Sequence, residues 1–142
     1  MATVTVILGL SGSGKTYLGK QMRDVTLLNE GFRKEQPENW QRFLEELAAG
    51  HDCALIEIAY LRQWKRDELV REVRKLYPDT NFEWIYFEND LEAANWNCVN
   101  DPDRTPEKIA GDLRNNERWT KQYKIPEGTS VRKIFRISKL DR

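Results

Sequence analysis

A doubly wound α/β domain, with a mainly five-stranded parallel sheet and helices on both faces, is predicted for this sequence on three observations. Short apolar, β-branched runs alternate with stretches of helical periodicity along the whole length. The run Cys53-Ala54-Leu55-Ile56 is continuously apolar, as a strand buried on both faces should be. The first strand runs through a glycine-rich turn into a helix, the unit from which such sheets are wound with right-handed crossovers. A length of 142 residues accommodates a single domain, 1–142, with a full core and without a large second module.

In chain order, Thr3-Val4-Thr5-Val6-Ile7-Leu8 reads as the first strand, and the helix after the glycine turn runs to Met22. Val25-Thr26-Leu27-Leu28 is a short second strand that ends at the turn Asn29-Glu30-Gly31. Pro37 stands in the first turn of a helix whose Trp40, Phe43, Leu44 and Leu47 share one face and belong to the core. The third strand, 53–56, ends in Glu57. From Asp67 to Tyr77 the chain is amphipathic, with Leu69, Val73 and Leu76 inward, and Pro78 stops it. Phe82 to Phe87 is a fourth strand, followed by a helix from Leu91 to Val99 with Trp96 in the core. After the turn-rich loop 100–106, Thr105 caps a helix that Pro106 begins and that runs through Ile109, Leu113 and Trp119. Val131 to Ile137 alternates apolar and basic residues and reads as a half-exposed last strand near a sheet edge.

The chemistry concentrates in Gly9-Leu10-Ser11-Gly12-Ser13-Gly14-Lys15-Thr16. G-x-x-x-x-G-K-T between a strand and a helix is the P-loop in the context it requires, which makes the domain a P-loop NTPase or kinase fold. Glycines let backbone N–H groups converge on a polyphosphate, Lys15 reaches the β- and γ-phosphates, and Thr16 offers a hydroxyl to Mg²⁺. The expected nucleotide-binding set is Gly9, Ser11, Gly12, Ser13, Gly14, Lys15, Thr16 and Tyr17. Glu57 ends a buried strand downstream of this loop, a position suited to a Mg²⁺ neighbour or a general base, or else to a structural ion pair. Asn29 and Glu30 fall on the face where open α/β sheets bind ligands. Arg114 and Arg118 lie one turn apart on a helix, so they either converge on a phosphate or pair with Glu117 and solvent.

Lys plus Arg and Asp plus Glu are 23 each, a balance that argues against a strongly basic nucleic-acid surface. Cys53 and Cys98 form no C-x-x-C and read as a buried strand thiol and a helix thiol in a reducing compartment, with a disulfide or metal pair as the lesser alternative. His51 is the only histidine and belongs to an exposed turn, which leaves no basis for a Ser-His-Asp triad. Neither a transmembrane run nor a cleavable leader is present in the pattern, so a cytoplasmic protein without membrane contact is expected. The Asn-Lys-x-Asp spacing of a GTPase is absent as well.

On these motifs the chain resembles, over essentially its full length, the small P-loop kinases of the polynucleotide-kinase-like group, relatives of the nucleoside monophosphate kinases. The segment Glu57-Ile58-Ala59-Tyr60-Leu61-Arg62-Gln63-Trp64-Lys65-Arg66 is similar to the family's stretch after the third strand, with Ile58-Ala59 where the family carries Asp-Thr. Arg104, followed by a helix with Arg114 and Arg118, resembles the phosphate-clamping lid, here about 100–120. The resemblance implies an ATP- and Mg²⁺-dependent phosphotransferase. Lys15, Glu57, Arg104, Arg114 and Arg118 would be catalytic, and Thr16 and Glu57 would place Mg²⁺. Asn29, Glu30, Tyr60, Arg62 and Arg66 would meet the acceptor, a nucleotide or polynucleotide, including a modified base in DNA. The rival readings are a small-metabolite kinase and a nucleotide-dependent ATPase or switch that binds a protein partner.

Overall fold

In a computed structural model that describes residues 2–29 and 35–137, β1 (Thr3–Leu8) leads to α1 (Lys15–Gln21), β2 (Thr26–Asn29) and α2 (Pro37–Ala48). There follow β3 (Cys53–Ile56), a 3-10 turn (Ile58–Leu61), α3 (Gln63–Leu76), β4 (Asn81–Phe87), α4 (Leu91–Asn100), α5 (Pro106–Thr120) and β5 (Val131–Arg132). The five strands form one sheet in the order β2-β3-β1-β4-β5, and every pair is parallel. The hydrophobic effect explains the centre: Val4, Val6, Ile7 and Leu8 of β1 and all four residues of β3 are buried, so both faces are covered. In register, Val6 stands opposite Leu55 on one side and Trp84 on the other.

The chain leaves β1 toward β2 at one edge and leaves β4 toward β5 at the other. Winding therefore reverses between the neighbours β1 and β4, and open α/β sheets bind ligands outside the carboxyl ends at such a reversal. The glycine loop occupies that position. Its helix sits close to the sheet because a Cβ on Gly19 would stand only 2.8 Å from Leu27 Cδ1.

Four features depart from the expectation. α3 begins at Gln63 rather than Asp67, because the chain turns through the 3-10 segment and restarts at Arg62. Leu76, on the inward stripe, is exposed in the last residue of α3, while Leu69 and Val73 are buried. Trp96 is half-buried and gives its Nε1–H to the Ile137 carbonyl at 2.9 Å. The last strand shrinks from 131–137 to Val131–Arg132 because side chains take over the ladder's hydrogen bonds. Ile134 N–H donates to Glu88 Oε1 at 2.9 Å, and Ile137 N–H to Asn97 Oδ1 at 2.8 Å.

Candidate functional site

Between Leu8 and Lys15 the backbone must turn sharply, and Gly12 (φ 90°) and Gly14 (φ 107°) take the left-handed conformations that other residues resist. Gly12 has a second reason to be glycine: a Cβ there would collide with the Ala94 carbonyl of α4 and stand 3.0 Å from Cys98 Sγ. Lys15 Nζ folds back on its own loop and donates to the carbonyls of Gly9 at 2.7 Å and Leu10 at 2.9 Å. Ser13 Oγ is buried and has no hydrogen-bond partner. A buried orphan hydroxyl costs free energy unless something else satisfies it. Gly14 caps α1 without a side-chain bond, and the first turn carries no acid to compete with an anion.

Two asparagine side chains brace this loop from behind. Asn116 of α5 is fully buried and accepts from Ser11 N–H at 2.9 Å while donating Nδ2 to Ser11 O at 2.8 Å, a side-chain imitation of strand pairing. Asn97 of α4 donates Nδ2 to the Gly12 carbonyl at 2.9 Å. Cys98 completes the brace with an S–H donated to Ser11 O at 3.3 Å, and burial pushes its thiol pKa up, with Arg104 opposing the rise. Sequence reasoning missed both asparagines. The signal was present, because Ile109, Asp112, Leu113 and Asn116 share the inward stripe of α5 and a polar residue there must find a partner.

Tyr123 closes the reversal point itself. Its phenol lies 2.6 Å from the Phe87 carbonyl and 3.2 Å from that of Leu8, the last residues of β4 and β1, and burial raises its pKa. Phe87 in turn lies beneath Gly14, where a Cβ would be 3.6 Å from its ring.

The remaining expected residues divide. Asn29 gives its Nδ2–H to Thr16 Oγ1 at 3.3 Å, so the end of β2 does meet the loop threonine. Glu57 is buried; continuing the β1–β3 register puts it abreast of Leu8, one residue before the loop, and its carboxylate caps the 3-10 turn by accepting from Ala59 N–H at 3.3 Å. Arg104 lies on the loop side, with NH1 3.5 Å from the Asn97 carbonyl, and is held by Asp112 at 3.1 Å and Asp101 at 3.6 Å. Tyr17 is exposed beside the loop. Glu30 lies outside the described residues.

Arg114 and Arg118 stand elsewhere than the spacing suggested. At about 100° per residue each is roughly 160° from Asn116, which faces the loop, so both point away from it. They are exposed and have no partner among the described residues, Glu117 included. Tyr60, Arg62 and Arg66 also differ from an acceptor-facing set. Tyr60 is buried in the core. Arg66, equally buried, donates to the carbonyls of Tyr60 at 2.8 Å, Leu61 at 3.0 Å and Lys124 at 2.6 Å and covers the Tyr86 ring. Arg62 gives Nε–H to Gln122 at 2.6 Å and lies over Trp119. Both arginines tie the start of α3 to the segment after α5. They act as internal struts.

The electrostatics away from the loop are local. Lys65 is buried between Glu35 and Glu68; burial opposes its charge, but the two carboxylates outweigh that and hold its pKa above the ordinary value. His51 is exposed as expected and pairs with Glu46, whose pKa that hydrogen bond lowers. Cys53 and Cys98 are free and buried. Among the described residues no group of three His, Cys, Asp or Glu side chains could hold a metal, and no helix is long and apolar enough to cross a membrane. No protein-family model matches the chain, and neither does any curated protein.

Proposed function

We propose that this chain is an ATP-dependent phosphotransferase that moves the γ-phosphoryl group to a hydroxyl or phosphate acceptor, with a nucleotide or polynucleotide as the first candidate. One observation carries the reading. A glycine-rich loop with two left-handed glycines, an orphan buried Ser13 hydroxyl, and Lys15 folded onto loop carbonyls stands at the winding reversal of a parallel sheet. That constellation fits a polyphosphate. Anionic oxygens would draw Lys15 Nζ off Gly9 O and Leu10 O and give Ser13 Oγ the partner it lacks.

In the transfer, the bond between the γ-phosphorus and the bridging oxygen to the β-phosphate breaks, a new bond to the acceptor oxygen forms, and the acceptor's proton goes to a base. Such a transition state asks the protein for positioning and charge neutralisation rather than covalent help. Lys15 would neutralise the terminal phosphates. Thr16, with its hydroxyl aligned by Asn29, and Glu57 beside the loop would hold Mg²⁺, with the phosphates and water as its remaining ligands. When bound, Mg²⁺ would supply positive charge to the phosphate oxygens. Arg104 is the lid arginine on the loop side, and release from Asp112 would free its guanidinium to neutralise developing charge.

A second reading, a nucleotide-dependent ATPase or switch that takes an arginine from a partner, draws on the outward placement of Arg114 and Arg118. The test separates the two. Labelled ATP with Mg²⁺ is offered to nucleosides, nucleoside monophosphates, 5′-hydroxyl oligonucleotides, hydroxymethylated DNA and small polyols. Transfer to one class, reduced at least about a thousandfold in Lys15→Ala with its unfolding midpoint retained, is the expected result. Rapid hydrolysis with no transfer to any of them would favour the switch, and full activity in Lys15→Ala would reject the site.

A further inference from the structure

We infer that Phe135 is the stacking platform for the nucleotide's base, held beside the phosphate loop by Asn97. This rests on the phosphate-loop reading above and adds a base subsite to it. The two hydrogens of one Asn97 amide nitrogen go to two carbonyls, that of Gly12 in the loop and that of Phe135, each at 2.9 Å. One planar side chain therefore joins the phosphate loop to the Phe135 backbone and keeps Phe135 next to the loop.

The backbone on both sides of Phe135 is pinned while its ring is free. Ile134 is buried with its N–H on Glu88 Oε1. Arg136 lies over the Trp96 ring at 5.7 Å and pairs with Glu92 at 3.4 Å. Ile137 gives its N–H to Asn97 Oδ1 and accepts from Trp96 Nε1–H at its carbonyl. Between these anchors Phe135 is 84% exposed, the most exposed large hydrophobic residue of the described chain. Single exposed apolar side chains are common; what sets Phe135 apart is that its backbone shares the Asn97 amide with the phosphate loop. Here α4 fixes the segment through Glu92, Trp96 and Asn97, and the last of these also shapes the loop. An aromatic face presented on rigid backbone suits a nucleobase, because every base has a π-face to stack on it.

Calorimetric titration of the full chain with Mg-ATP and with magnesium tripolyphosphate tests this, since the second ligand has phosphates and no base. In Phe135→Ala the affinity for ATP should fall about tenfold while that for tripolyphosphate stays within about twofold, and Phe135→Trp should restore ATP binding. An ATP affinity unchanged in Phe135→Ala would overturn the subsite and leave the phosphate site standing. Equal losses for both ligands would overturn it too, by making Phe135 a support of the loop. If the unaltered protein bound neither ligand, the phosphate-loop reading would fall and the subsite with it.

Discussion

Asn116 shows how much of a loop's shape can rest on one side chain. The Ser11 peptide has no strand beside it, yet both its N–H and its C=O are paired, because the amide of Asn116 offers an acceptor and a donor in one plane. Asn116→Ala would leave the Ser11 N–H unsatisfied in a half-buried place and its carbonyl with only the weak Cys98 S–H donor, at a cost of about 1–3 kcal/mol for the lost N–H partner. The expected outcome is a lower urea midpoint and ATP binding weakened about tenfold, because the loop no longer waits in its binding shape. Fluorescence titration and urea unfolding measure the two effects. A stable variant with wild-type ATP affinity would show that the glycine turns hold the loop unaided. Asn116 was invisible in the motif because G-x-x-x-x-G-K-T describes what touches phosphate and says nothing of what stands behind it.

At the scale of elements, α5 decides which arginines matter. Its inward stripe presents Asp112 and Asn116 to the loop region, so Arg114 and Arg118 fall on the far side of the helix. The double substitution Arg114→Ala, Arg118→Ala should leave transfer and ATP affinity within about twofold of wild type, since no described residue depends on either guanidinium. Arg104→Ala should lower kcat about a hundredfold or more with a smaller change in KM for ATP, if its charge acts only as the phosphoryl group moves. Steady-state kinetics on the acceptor found by the panel measures both, and a double variant as inactive as Arg104→Ala would mean that α5 turns over on closure. Sequence spacing identified the arginine pair correctly as one face of a helix. It could not say which face, because that choice belongs to the apolar residues Ile109 and Leu113 and to two polar residues that read as surface. The same limit hid the role of Arg62 and Arg66, whose partners Gln122 and Lys124 lie about sixty residues away.

At the scale of the molecule, the parallel sheet was legible because β3 is apolar on both faces, β1 is β-branched and apolar apart from Thr3 and Thr5, and each of the first four strands is followed by a helical period. β5 and its edge position were legible too, but its shortness was not, because Glu88 and Asn97 replace strand partners with side chains that no alternation pattern records. Central burial also has a consequence for stability against pH. Cys53 opens β3 with no exposure, and burial pushes its thiol from 9.0 up to about 12, with Glu46 and Asp52 adding to the rise. Below pH 9.0 the folded and unfolded chains both keep that proton, so its contribution to stability is complete. As the pH rises toward about 12 the unfolded chain loses the proton first and binds fewer than the folded chain, which favours unfolding by up to about 1.4 kcal/mol per pH unit. Tyr123 and Cys98, whose pKa values are also raised, act in the same direction. Urea-unfolding free energies of wild type and Cys53→Ala, followed from about pH 8 to about pH 11, isolate the Cys53 share. Cys53→Ala should start lower, for the methyl-sized space it leaves, and then fall less steeply, so that the two curves converge with rising pH. Parallel curves would mean that the thiol ionises as readily inside the sheet as in the unfolded chain, and that burial at β3 sets no alkaline limit on this fold.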